Sequence, residues 1–141
     1  MRLTEIVRVD VKGRITIPMV IREALNIVEG MYLIISADTE KREIILSPVV
    51  TPEAQIYELY IELEDVPGAF AQVSEFLAAN NVDQVSTHCT SIKRGELASC
   101  GIIIDVSHAK ISLDELRDKL AMLEPVRMVN LRPLKREPGR A

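Results

Sequence analysis

Residues 7–17 read VRVDVKGRITI, and this run limits the fold more than any other. Val7, Val9 and Val11 alternate with Arg8, Asp10 and Lys12, the period of a strand with one apolar face. Gly13 marks a turn, and Ile15 and Ile17 carry the apolar face onward. Pro18 suits the first turn of a helix, where its missing N–H costs nothing. Val20, Ile21, Ala24 and Leu25 form that helix's stripe, and Asn26 suits a left-handed stop. MYLIIS and REIIL follow as strands around the turn ADTEK. The reading is β-β-α-β-β, with a helix of about eight residues where isolated helices need roughly 12 to be even marginal. So small a unit needs a metal, disulfides or a second chain. Residues 1–47 contain neither cysteine nor histidine. A second copy that shares strands is therefore expected.

Two prolines in SPVVTPEAQ, at 48 and 52, mark an extended linker over residues 48–55. Beyond it the pattern is β-α-β-β-α-β over 56–133. IYELYIEL alternates, with Tyr57, Leu59, Ile61 and Leu63 on one face. DVPGAF is a strand-to-helix turn, and a helix spans about 68–80 with Phe70, Val73, Phe76 and Leu77 as its stripe. VDQVSTHCTSI and LASCGIIIDV are strands around KRGE. Ser112 and Glu115 have capping-box spacing, and Ile111 with Leu116 fits a hydrophobic staple. Leu113, Leu116, Leu120 and Leu123 stripe that helix, and Pro125 ends it. VRMVNL is the last strand. The class is α+β, with a C-terminal ferredoxin-like βαββαβ unit of two helices on one face of a four-stranded antiparallel sheet. The tail, residues 134–141, is polar and expected to be disordered.

Net charge is −4. Its distribution says more than its sum. Residues 1–22 carry five cations (Arg2, Arg8, Lys12, Arg14, Arg22) and two anions (Glu5, Asp10), hence +3. Residues 23–47 carry two cations and five anions, hence −3. Only the first segment is basic, and a dimer doubles it. Arg8, Lys12, Arg14 and Arg22 are the candidate DNA-binding residues, because arginine's planar fork matches phosphates and guanine edges.

No apolar run approaches the roughly 18 residues of a membrane span, and the N-terminus has no apolar signal core. A cytoplasmic chain without a membrane partner is expected. If Arg94-Gly95 centres a two-residue hairpin, Cys89 falls opposite Cys100, under the helices, and a buried reduced pair is expected over a cross-strand disulfide. His88 points to the other face and His108 lies in a loop, so no metal or cofactor is expected. No nucleophile–base pair, P-loop or dinucleotide fingerprint occurs. Asp65 with Asp83 as an acid/base dyad is the only enzyme reading, and a non-enzyme is expected.

The N-terminal residues Asp10, Gly13, Arg14, Ile15, Ile17, Pro18, Arg22, Leu25 and Ile27 resemble the swapped-hairpin, barrel-like DNA-binding domain of AbrB/SpoVT transition-state regulators and MazE-type antitoxins, over about residues 4–47. The resemblance implies an interleaved homodimer that sets Arg8, Lys12, Arg14 and Arg22 on double-stranded DNA. The second half resembles an ACT domain over about 55–133, through Asp65-Val66-Pro67-Gly68 and LAANNVDQVST. That resemblance implies an amino-acid site between two domains, at Asp65, Pro67, Gly68 and Asp83. The competing reading makes Pro67-Gly68 a tight turn and Asp65 a helix cap. The function these features point to is a dimeric or higher even-oligomeric transcriptional regulator with a C-terminal domain that senses an amino acid or mediates assembly. The alternatives are an antitoxin-like DNA- and protein-binding partner, and a sensing or assembly module that does not bind DNA.

Overall fold

A computed structural model describes residues 1–48 and 54–134. The chain divides into two compact units, with the break between residues 52 and 53. Most of the expected linker and the tail from residue 135 lie outside the described residues.

The N-terminal unit holds α1 (Met19–Ala24), β1 (Leu33–Asp38) and β2 (Glu43–Pro48). Pro18 stands just before α1, and its carbonyl accepts from the N–H groups of Ile21 and Arg22, both at 3.0 Å. At the other end Asn26 takes φ 54°. The Ile27 N–H reaches the Arg22 carbonyl at 2.8 Å and the Asn26 N–H reaches Glu23 at 3.3 Å. That pair of bonds is a Schellman stop, which satisfies two carbonyls the helix would otherwise orphan. β1 and β2 pair antiparallel from Leu33↔Pro48 to Asp38↔Glu43. Their turn is organised by Asp38, whose Oδ1 accepts from the Glu40 and Lys41 N–H groups at 3.0 Å.

Two expectations are corrected here. Helix α1 has six residues, fewer than the stripe suggested. The two strands expected over 7–17 do not form a ladder within one chain; only the tip closes. A lone two-stranded ribbon is at best marginal without a surface to lie on, and this unit supplies none. Among the described residues of 1–48, none is buried. Val9, Ile35 and Ile44 remain 62%, 68% and 67% exposed.

The C-terminal unit is different. Its elements are β3 (Ile56–Glu64), α2 (Ala69–Ala79), β4 (Asp83–Lys93), β5 (Leu97–Asp105), α3 (Leu113–Ala121) and β6 (Val126–Pro133). The sheet order is β4-β5-β3-β6, with every neighbouring pair antiparallel. Leu59 and Ile61 of β3, Ile102 and Ile104 of β5, Val73 and Leu77 of α2, and Leu116 and Leu120 of α3 are buried together. The period-two stripes of the strands meet the 3.6-period stripes of both helices there. Full burial of each such side chain is worth about 1.5–3 kcal/mol. Gly68, at φ 87°, opens α2, and Asn81, at φ 55°, closes it in a second Schellman stop. Ser112 Oγ accepts from the Glu115 N–H at 3.2 Å and caps α3. The Leu134 N–H donates to the Ile56 carbonyl at 3.2 Å, so the first residue of the expected tail is held against β3.

Cys89 does fall opposite Cys100, but the two are joined by a disulfide, which corrects the reduced-pair reading. Directly opposed side chains on one face of a ladder lie close enough to bond. Cys100 is 2% exposed in the core, whereas Cys89 is exposed, because β4 from Thr87 onward leaves the cover of the helices.

Leu77→Ala removes a fully buried side chain between α2 and the sheet. It is expected to destabilise the C-terminal unit by about 2–5 kcal/mol, read as a lower midpoint in urea unfolding. The same change at exposed Leu25 should leave that transition unmoved.

Candidate nucleic-acid interface

The basic residues are organised around one tight turn. The Asp10 N–H donates to the Arg14 carbonyl at 2.9 Å, and the Gly13 N–H to the Asp10 carbonyl at 3.0 Å. Gly13 sits at φ 76°, a left-handed conformation that costs a residue with a Cβ roughly 1–2 kcal/mol. Asp10 does the rest. Its Oδ1 accepts from the backbone N–H groups of Lys12 and Arg14, both at 2.9 Å. Its Oδ2 accepts from Arg14 Nε at 2.8 Å. These bonds favour the ionised carboxylate, so its pKa is lowered, first through the Arg14 backbone N–H and then through its side chain.

Sequence reasoning counted Asp10 only as a motif position and an anion. Its structural role was readable, since Asp followed three residues later by Gly is a turn signature in which the side chain captures N–H groups two residues on. Of the predicted DNA-binding residues, Lys12 and Arg14 belong to this turn and Arg8 lies two residues before it. All three are exposed. Arg22 stands apart on α1, half-buried, with its Nε donating to the Ile17 carbonyl at 2.9 Å. It ties the helix to the residue before Pro18 and keeps its terminal amino groups for other partners.

Of the C-terminal candidates, Asp65, Pro67 and Gly68 share one turn, and Asp83 is not brought to them within one chain. Glu64, the residue before Asp65, pairs with Leu97, whereas Asp83 pairs with Asp105. Asp65 and Asp83 therefore lie at opposite ends of β5, about 25 Å apart at the usual rise per strand residue. They cannot act as a dyad in a single chain. Gly68 does begin α2, and Pro67 lies in the turn before it, as the tight-turn reading expects. Asp65 does not cap that helix. Its Oδ2 instead accepts from Ser91 Oγ and from the Gly95 N–H, the latter at 2.9 Å. The carboxylate pins the strand–helix turn to the β4–β5 hairpin.

A shallow depression on the helix-free face of the sheet was not foreseen. Glu58, Tyr60, Asn130 and Arg132 line it. Its opposite charges pair, with Arg132 Nε donating to Glu58 Oε1 at 2.8 Å, and Tyr60 donates to Glu62 at 3.0 Å. Because β3 and β6 are far apart in sequence, no local pattern reveals that they are neighbours.

The hydrogen bonds from Ser91 and Gly95 hold the Asp65 pKa below its ordinary 3.8. The tie is thus complete above that value and is lost as pH falls through the lowered one. Asp65→Ala should speed hydrogen exchange at the Gly95 amide at neutral pH. The difference from wild type should vanish in strong acid.

Against known proteins, residues 6–54 match the family model described as "Antidote-toxin recognition MazE, bacterial antitoxin". No curated protein matches the chain. The N-terminal unit, with its Asp10–Arg14 turn and its two-stranded hairpin, is the part of this chain similar to MazE-type antitoxins, and the similarity spans about a third of the 141 residues.

Proposed function

We propose that this chain is a DNA-binding transcriptional regulator that works as a dimer or a higher even oligomer. One observation carries the reading. Within the segment that resembles a MazE antitoxin, none of residues 6–48 is buried, yet they are rich in valine, isoleucine and leucine. Apolar surface of that extent calls for a cover. In the swapped-hairpin arrangement the cover is a second copy. Two copies of the +3 segment then place +6 on one assembly, around the paired turns that hold Lys12 and Arg14, with Arg8 two residues before each.

In this reading the C-terminal unit is an ACT-like module with ferredoxin-like order. Its β-α-β-β-α-β succession and its sheet order support that identification. Its role is to join copies. An amino-acid effector would have to bind between two such units, because Asp65 and Asp83 do not meet within one. Isothermal titration with the amino acids, with and without DNA, tests that part separately.

The family description, which speaks of antidote and toxin, favours a second reading as an antitoxin-like partner protein. Copurification of a stoichiometric second protein with the full-length chain would favour it.

Light scattering should return an even multiple of the chain mass. Duplex binding should weaken steeply with salt, by about 0.9 log units per log unit of salt for each phosphate engaged. A monomer, or an absence of duplex binding at low salt, would sink the regulator reading.

A further inference from the structure

The Asp10 carboxylate lies beside one of the cations proposed to meet DNA. Taken as charge alone, it is in the wrong place. A carboxylate next to a phosphate-binding arginine weakens the pull on the DNA backbone, and phosphate contacts otherwise need little beyond positive charge. Its geometry has a different consequence. One oxygen is occupied by the Lys12 and Arg14 N–H groups, which define the turn. The other holds Arg14 Nε at 2.8 Å. With Nε engaged, the guanidinium is fixed at one corner. Its terminal Nη1 and Nη2 groups remain as a fork, on a side chain that is 56% exposed. Two parallel donors in a fixed plane are what the O6 and N7 acceptors of guanine require in the major groove. A side chain already held in one rotamer gives up less freedom on docking.

Resting on the DNA-binding reading above, we infer that Asp10 is a positioning residue that presets Arg14 for base recognition, while Arg8 and Lys12 supply backbone anchoring. The pair converts one of the turn's cations from an attractor of any duplex into a reader of sequence.

The experiment compares full-length wild type, Asp10→Asn, Arg14→Gln and the double variant. The probes are a duplex that the wild type selects from a random pool and a shuffled duplex of the same composition, each titrated with salt. Asparagine keeps an oxygen for the Lys12 and Arg14 N–H groups but loses the charge that holds Nε. Asp10→Asn should lose about tenfold on the selected duplex, the scale of one good base contact. It should hold or gain on the shuffled one, with a salt slope steeper by about one per chain as Arg14 turns to phosphate. Arg14→Gln should lose the same discrimination, and adding Asp10→Asn to it should change nothing further. An unchanged ratio between duplexes in Asp10→Asn would overturn the inference while leaving the DNA-binding reading intact. So would an equal fall on both duplexes in Arg14→Gln, which needs no folded Asp10 variant. A wild type that binds neither duplex would remove both.

Discussion

Each square ångström of apolar surface left in water forgoes about 25 cal/mol of stabilisation, and the N-terminal unit leaves most of its apolar side chains exposed. Its valines and isoleucines alternate as strand residues do, its helix has a designed stop at each end, and its hairpin pairs over six residues, yet no interior forms. Local chemistry is complete while the tertiary layer is missing. Secondary structure of this kind persists only against a partner surface, because a six-residue helix cannot support itself. The association proposed above, with its doubled positive charge and its two basic turns, rests on that one deficit.

The C-terminal unit solves the same problem within one chain. Two helices cover one face of four strands, and eight large side chains from β3, β5, α2 and α3 close a core. Its turns are secured by side chains acting at a distance. Asp65 reaches from the end of β3 to the β4–β5 hairpin, and the Cys89–Cys100 disulfide fastens the edge strand β4 where the helices no longer cover it. Both devices reinforce the side of the sheet that has least apolar burial.

Carboxylates do the organising work in both units. Asp10 and Asp38 each gather N–H groups of their own turns, and Asp65 gathers donors from another. Residues that sequence reading took for charge, or for ligand contacts, are spent on geometry. In the basic turn this matters for function, since the group that shapes the loop also takes hold of Arg14. In the proposed DNA-binding reading, the cation that meets DNA is thereby oriented by the same carboxylate that shapes its turn.

Sequence alone determined what depends on near neighbours. The periodicities of Val7–Val11 and Tyr57–Leu63, the helix stop at Asn26 and the helix start at Ser112, the order β-α-β-β-α-β and the opposition of Cys89 to Cys100 all follow from spacing within a few residues or across one hairpin. Tertiary structure decided what depends on which segments meet. It put β6 beside β3, set Asp65 and Asp83 at opposite ends of β5, left the first strands of the N-terminal unit without a ladder in one chain, and joined the cysteines. The physical reason is that hydrogen-bonded turns and stripes are local, whereas burial is a property of surfaces brought together from afar. A pattern of side chains states which face seeks cover; only the packed chain shows whether the cover lies in the same molecule.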